Sequence, residues 1–204
     1  MSNVKLMKRT CSWIETEICS KVKLLVPDDD VNDEDYQVSF AHPAVYPYFV
    51  PTKEMQMDAL EVPSVCVQFV ETEESFKGAA LGNKTINIRL VLTVWNPGDQ
   101  VIYKPHAEVK KLGSVAYTED TEGYTRNLDG WEDLVNLQDT ILEKLKAEEF
   151  VEGMAVDMKS IKYGMFKDET DSIYVLYPYW SGYIDFTATM GATRLVPNKY
   201  ENIL

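Results

Sequence analysis

Residues Asp129–Phe150, DGWEDLVNLQDTILEKLKAEEF, decide the fold of this chain. Asp129 is predicted to be a helix N-cap, because Glu132 follows three residues later in a capping-box pattern. The large apolar residues recur at steps of three and four, which places them on one helical face: Trp131, Leu134, Leu137, Ile141 and Leu145. The hydrophobic period changes to two on both sides of this stretch. We therefore expect a helix that packs on a sheet built from its flanking segments.

A second amphipathic helix is predicted at the N-terminus, up to about Leu25. Its apolar residues again step by three and four: Met7, Cys11, Ile14, Ile18, Val22 and Leu25. Pro27 and the acidic run that follows it are expected to end this helix.

Five segments alternate or are rich in apolar residues and are predicted to be strands: Ser64–Thr72, Lys84–Trp95, Met154–Tyr163, Ser172–Tyr179 and Gly182–Met190. The third contains a one-residue slip that indicates a bulge, and the last two are predicted to pair with each other. Residues 76–83 contain two glycines and are predicted to be a turn or flexible loop. The chain, residues 1–204, is thus predicted to be a single α+β domain. We expect a mostly antiparallel sheet with two amphipathic helices packed on one side, and long loop or hairpin arms.

The charge of the chain is strongly acidic. The formal net charge is -13, with 33 Asp and Glu against 20 Lys and Arg. Sequence-specific binding to nucleic acid is disfavoured, because neutralising phosphates requires clustered cations. Apolar residues make up 45% of the chain, enough for a normal globular core.

Cysteine usage predicts reduced thiols. Cys11, Cys19 and Cys66 are an odd number at no metal-site spacing. Cys11 and Cys19 are separated by roughly 12 Å along a helix, beyond disulfide reach, and are predicted to face the core. No apolar signal-peptide region or membrane span is evident, so we expect a protein made in a cytoplasm.

The segment before the first predicted strand holds an acidic run and a run rich in proline and aromatic residues. Asp28–Asp35 begins like an EF-hand calcium loop, but Asp33 stands where the turn needs Gly and Ser39 where the bidentate Glu belongs. We favour a solvated acidic loop. Three prolines between Ala41 and Pro51 exclude a regular helix or central strand. The aromatic residues of this segment either pack over the core, which we favour, or present an adhesive surface: Tyr46, Tyr48 and Phe49.

Residues Val101–Leu128 show no convincing periodicity and are predicted to form a projecting arm or hairpin ordered by a neighbouring subunit. The segment contains His106 and a small basic patch. Its predicted anchors at a subunit interface are tyrosines: Tyr103, Tyr117 and Tyr124. No catalytic motif, phosphate-binding glycine spacing or metal-ligand cluster is found in the sequence, so we expect neither an enzyme nor a cofactor or metal.

The order of elements, together with two motifs, resembles that of the tail terminator, or tail completion, proteins of tailed bacteriophages. The motifs are D-G-W-x-D-L at Asp129–Leu134 and Y-P-Y-W-x-G-x-I-x-F at Tyr177–Phe186. The resemblance covers roughly Pro63–Met190. It implies a homo-hexameric ring that sits on the tail tube, ends tail polymerisation and offers a docking face to the head side.

The partners implied by this resemblance are a second copy of the chain, the tail tube protein, neck or connector proteins and possibly the sheath, with no membrane. The location implied is the tail–neck junction of the virion, after assembly in the bacterial cytoplasm. One alternative is a head–tail connector or neck adaptor. Another is a calcium-dependent or carbohydrate-contacting module that uses Asp28–Asp35 or the exposed tyrosines.

Overall fold

The computed structural model describes residues 2–27, 39–52, 55, 61–77, 81–98, 100–103, 123–126, 129–174 and 176–193. The helices are α1 (Asn3–Glu17) and α2 (Trp131–Glu148), with a short 3-10 helix at Cys19–Lys21. The strands follow in chain order: β1 (Leu24–Leu25), β2 (Phe40–Ala41), β3 (Ala44–Pro47), β4 (Ser64–Lys77), β5 (Leu81–Trp95), β6 (Gln100–Tyr103), β7 (Gly123–Arg126), β8 (Phe150–Val151), β9 (Met154–Met165) and β10 (Tyr179–Thr193). In these ranges no helix is both long and apolar enough to cross a membrane. The proposed calcium loop Asp28–Asp35 lies outside the described residues.

Six strands form one sheet in the order β3-β4-β5-β10-β9-β8. Edge strand β3 runs parallel to β4, and the other neighbours are antiparallel. Strands β5 and β10 pair without interruption from Leu81 opposite Thr193 to Trp95 opposite Tyr179. Two further pairs, β1–β2 and β6–β7, form separate two-stranded sheets.

Both helices pack on the same face of the six-stranded sheet. Every second residue of β5 points towards them and is buried: Ile86, Ile88, Leu90, Leu92 and Val94. These residues belong to one core cluster with apolar side chains from both helices, β4, β9 and β10. The predicted α+β architecture, with two helices on one side of a mostly antiparallel sheet, is confirmed.

The start of α2 differs from the prediction. Gly130, and not Asp129, is the N-cap, because the chain already turns at Asp129, whose carbonyl oxygen accepts the amide of Glu132 at 3.0 Å. Trp131 is 40% exposed, contrary to its predicted place in the core. It lies one turn before Leu134, the first buried residue of α2, at the end of the packed face.

A buried polar side chain joins α2 to the sheet. The amide of Gln138 donates to the carbonyl oxygens of Gly164 in β9 and Tyr183 in β10, at 3.0 and 3.3 Å. Gly182 makes this close approach possible, because a Cβ there would collide with the Gly164 carbonyl and with Gln138. Satisfied in this way, Gln138 fixes the position of α2 along the strands.

The N-terminal helix is shorter than predicted. It ends at Glu17, and Leu25 belongs to β1 and not to a helix. His42 contacts the chain after this end, since its Nδ1 lies 3.1 Å from the carbonyl oxygen of Cys19 and 2.7 Å from that of Val22. Because both neighbours are acceptors, Nδ1 carries the hydrogen. The Cys19 carbonyl also accepts the amide of Val22 at 3.1 Å.

The three cysteines are unpaired, as predicted. Cys19 and Cys66 are buried, whereas Cys11 is only partly buried and packs against the core. Burial raises the pKa of Cys19 to about 12 and that of Cys11 to about 11. Both thiols therefore stay protonated and unreactive at neutral pH.

The β4–β5 hairpin is longer than predicted: the predicted loop at residues 76–83 is wrong for 76, 77 and 81–83, which belong to strands, and residues 78–80 lie outside the described residues. Strand β4 continues to Lys77 and β5 starts at Leu81. The glycine in this region serves packing, because Gly82 pairs with Phe76 and a Cβ on Gly82 would collide with the Phe76 ring. A bulge between Phe69 and Glu71 interrupts the β4–β5 register.

The predicted irregularity in β9 is confirmed and is larger than one residue. Asp185 pairs with Lys162 and Thr187 with Asp157, so four residues of β9 bulge opposite one residue of β10. Ser160 stabilises the bulge, because its hydroxyl oxygen accepts the amide of Thr187 at 2.8 Å.

The predicted strand Ser172–Tyr179 is wrong. Before β10 begins at Tyr179, this segment forms isolated bridges of Ile173 and Leu176. The carboxylate of Asp168 accepts the backbone amides of Thr170 and Ser172, at 2.8 and 3.1 Å, and this turns the chain away from the sheet. Strand β10 pairs instead with β5 and β9.

Lys144 of α2 links the two helices. Its ammonium donates to Glu17 of α1 at 3.0 Å and forms an ion pair with Glu148 at 2.6 Å. The indole of Trp13 donates to the same Glu148 at 3.0 Å. The hydrogen bonds from Lys144 lower the pKa of both carboxylates.

We predict that Leu137→Ala or Ile141→Ala lowers the free energy of unfolding by roughly 2–5 kcal/mol, because each leaves a cavity in the core. Both side chains are at most 1% exposed. Urea denaturation gives the difference. Asp139→Ala, on the exposed face of α2, is the control and should change stability by no more than about 0.5 kcal/mol.

We also predict a pH-dependent role for Lys144. The pKa values of Glu17 and Glu148 are lower in the folded state, so their contribution to stability is present above the unfolded value of about 4.3 and is lost as pH falls through the folded values. The difference in Tm between wild type and Lys144→Met should therefore be largest near neutral pH and vanish in acid. Lys146→Met is the matched control, and an equal difference at both pH values would contradict this role.

Candidate interaction surface

The sheet face opposite the helices carries the candidate interaction surface, which we call the open face. The alternation that buries one set of residues turns the intervening ones to this side: Asn87, Arg89, Val91 and Thr93 of β5, and Ser181, Tyr183, Asp185 and Thr187 of β10. Neither helix packs against this side, and its side chains are only partly buried.

An ion pair lies at the centre of the open face. Arg89 and Asp185 are directly opposite in the β5–β10 register, and the guanidinium donates two hydrogen bonds of 2.8 Å to the carboxylate. These bonds raise the pKa of Arg89. The guanidinium also lies 5.4 Å from the ring centroid of Tyr183, which in turn lies 5.5 Å from that of Phe166. The four side chains form a continuous row.

A polar cavity of about 330 Å³ lies on one side of this row. Its hydrogen-bonding groups serve one another: the Thr187 hydroxyl donates to Asn87 at 2.9 Å, and the Asn87 amide donates to Glu71 at 3.2 Å. In the described part of the chain no group of three or more His, Cys, Asp or Glu could hold a metal ion. The arrangement suits contact with a partner.

An apolar cavity of about 300 Å³ lies on the other side, where the chain leads into β10. Its apolar lining comes from Val91, Phe166 and three exposed residues that belong to a larger group. This group, which we call the β9–β10 patch, consists of Ile173, Tyr174, Leu176, Tyr177 and Tyr179, each between 39% and 57% exposed. Five exposed large apolar side chains within seven residues are typical of a protein-binding surface.

The β9–β10 patch is held in place by hydrogen bonds. The amide of Tyr174 donates to the Phe166 carbonyl at 2.8 Å, and the Tyr177 hydroxyl donates to the Pro97 carbonyl at 3.0 Å. The amide of Asn96 donates to the Pro178 carbonyl at 3.0 Å. A partner would therefore meet a surface whose backbone is already ordered, which lowers the entropic cost of binding.

The base of the predicted arm is formed by the paired strands β6 and β7, and we call these two strands the hairpin arm. Strands β6 and β7 pair antiparallel, with Gln100 opposite Arg126 and Tyr103 opposite Gly123. Residues 104–122, which include the predicted anchor Tyr117, lie outside the described residues. The same holds for the side chains of Tyr103 and Tyr124.

The base of the hairpin arm joins the motifs singled out in the sequence. The side-chain amide of Asn96 donates to Asp133 of the D-G-W-x-D-L motif at 2.7 Å. The indole of Trp180, from the Y-P-Y-W motif, donates to the Asn96 carbonyl at 2.9 Å. A Cβ on Gly130 would collide with that same carbonyl. The motifs therefore close the base of the arm and position α2.

The aromatic residues predicted near the N-terminal strands have a mixed outcome. Tyr46 is partly buried on β3, but Tyr48 and Phe49 are 52% and 62% exposed. Our preference for packing of these two over the core is wrong, because β3 ends at Pro47 and the chain leaves the sheet there. Tyr48 has a positive φ, and its carbonyl accepts the Gln68 side chain at 3.0 Å. This turn directs both rings outwards.

The structure places Tyr46 on β3, Tyr48 and Phe49 directly after it, and Tyr103 and Tyr124 on β6 and β7. None of these residues lies in the β9–β10 patch. The patch was missed because SIYVLYPY was interpreted as a strand. The composition of this segment could indicate its exposure, because three tyrosines and a proline in eight residues do not alternate as a half-buried strand does. Comparison of the sequence with protein-family models and with curated proteins finds no match.

We predict that Gly130→Ala lowers the free energy of unfolding by about 1–3 kcal/mol, because the added methyl group collides with the Asn96 carbonyl. Gly191→Ala is the matched control, since open space surrounds that position in β10. Chemical denaturation of the two variants gives the comparison. Equal stability would show that the arm base adjusts without cost.

Proposed function

We propose that this chain is a structural protein of tailed bacteriophages, a tail terminator that forms a ring on the tail tube and ends its polymerisation. The observation that carries the proposal is the β9–β10 patch on the open face. Exposed apolar side chains on an ordered backbone fit a permanent contact with another protein.

Two further features support assembly. The fold agrees with the small α+β domain that the resemblance implies, although a fold by itself does not determine function. Rings of identical subunits require that one surface of a subunit fits a different surface of the next. The hairpin arm and the β9–β10 patch are two different surfaces that could serve such contacts.

The charge of the chain fits a ring through which DNA passes. Six copies at -13 each carry a formal charge of -78. An anionic ring repels phosphate and does not retain DNA during passage, by the same electrostatics that makes cations bind it.

Particles assembled without this protein test the proposal. Overlong or ragged tails, seen by negative-stain electron microscopy, would support a terminator. Tails of normal length that are detached from heads would overturn the terminator and indicate a head–tail connector. Normal length together with normal attachment would overturn an assembly role altogether.

We predict that the double variant Tyr174→Ser/Leu176→Ser folds but does not restore normal tails to such particles, because it removes two exposed apolar side chains of the β9–β10 patch. Val4→Ser is the control, since Val4 is 67% exposed on α1, away from the open face. Circular dichroism should show the same folded spectrum for both variants. Restoration of normal tails by the double variant would exclude the patch as the contact.

A further inference from the structure

The six-stranded sheet has two long edge segments that no described strand covers. Strand β3 pairs with β4 only as far as Val67, and β8 pairs with β9 only at Met154 and Ala155. This leaves residues 69–77 of β4 and residues 157–165 of β9 with one open edge each. Each segment has nine residues, but because of the bulges the β4 segment lies opposite eight residues of β5 and the β9 segment opposite six residues of β10. At the usual rise of a strand these spans are about 27 and about 20 Å.

The two edges carry opposite charge. The β4 segment, which we call the acidic edge, contains Glu71, Glu73 and Glu74, with one base, Lys77, at its end. The β9 segment, which we call the basic edge, contains Lys159 and Lys162, with one acid, Asp157, at its start. The three glutamates and the two lysines of the basic edge are exposed.

The charges are available to a partner. Glu74 forms an ion pair with Lys84 at 2.9 Å, but no ion pair within the described ranges involves Glu73, Lys159 or Lys162. Each edge also exposes a large apolar side chain beside its charges. These are Val70, 62% exposed, and Tyr163, 56% exposed.

Charges and bulges at sheet edges also protect a protein from adding strands to one another, and both edges contain a bulge. Protection is served best when both edges carry charge of the same sign, because every approach of two copies is then repelled. Edges of opposite charge have a different effect. Two copies of the same edge repel each other, whereas the acidic edge of one copy attracts the basic edge of another.

We propose that copies of this chain associate head to tail, with the acidic edge of one copy beside the basic edge of the next. The inference rests on the ring proposed above and names its subunit contact. Three antiparallel steps separate β4 from β9, so the two edges run in opposite directions. Because each edge contains a bulge, the contact joins side chains and does not form a continuous ladder of backbone hydrogen bonds. It is heterologous, as a closed ring requires.

Charge exchange between the edges tests the proposal on the full chain. Glu71→Lys/Glu73→Lys makes both edges basic, and Lys159→Glu/Lys162→Glu makes both acidic. Native mass spectrometry and sedimentation, for the protein alone and mixed with tail tubes, should show loss of the oligomer in each double variant. The oligomer should return when the two variants are mixed, and also in the quadruple variant, where the signs are exchanged.

Matched controls separate edge charge from total charge. Asp139→Lys/Glu143→Lys on the exposed face of α2 and Lys5→Glu/Lys8→Glu on α1 change the net charge by the same four units, to -9 and -17. Both should assemble like the wild type. The acidic-edge variant, also at -9, carries less overall repulsion than the wild type, so its failure to assemble would be specific to the edge.

The outcomes distinguish this inference from the proposed function. If the wild type assembles and the double variants assemble equally well, the edge contact is overturned and the proposed ring is unaffected. Loss in the double variants without recovery in the quadruple variant would also overturn it, since complementary charge would not be the cause. Wild type that assembles neither alone nor on tail tubes would overturn both.

Discussion

The uninterrupted pairing of β5 with β10 is the constraint on which the rest of the structure depends. Because the register holds from one end of the strands to the other, the side-chain alternation never changes phase between them. One set of residues always meets the helices, and the other always forms the open face. A slip of β10 by one residue would bury Asp185 without Arg89 opposite it and would expose Ile184. The pairing of β5 with β10 therefore determines both which residues are buried and which form the surface.

The parts of the fold that could be predicted from the sequence are those with a regular local period. Ile86 to Val94 alternate without a break, and Leu134 to Leu145 return at helical steps, so both elements are visible in the chain alone. The predictions are wrong where a residue distant in the sequence determines the local structure. Gly82 resembles a loop residue until the Phe76 ring is seen over it, and the segment after α1 contacts His42, twenty positions after Val22.

The candidate surface was harder to predict than the fold, since aromatic residues have the same composition whether they are buried or exposed. Tyr48 and Phe49 were assigned to packing on the average behaviour of aromatic rings, and a turn with positive φ directs them outwards. The Tyr174–Tyr179 segment looks like strand until Asp168 is seen to turn the chain. The opposite charges on the two edges became visible only with the strand order, because β4 and β9 lie some eighty residues apart in the chain.

The closed base of the hairpin arm affects how the length of the segment between β6 and β7 can vary. Asn96, Asp133 and Trp180 hold the two ends of the arm together before its strands begin. Lengthening the segment between β6 and β7 then adds only a small closure entropy, which grows as the logarithm of its length. The length of this segment can therefore vary at little cost in folding free energy, because the residues that close the base lie outside it.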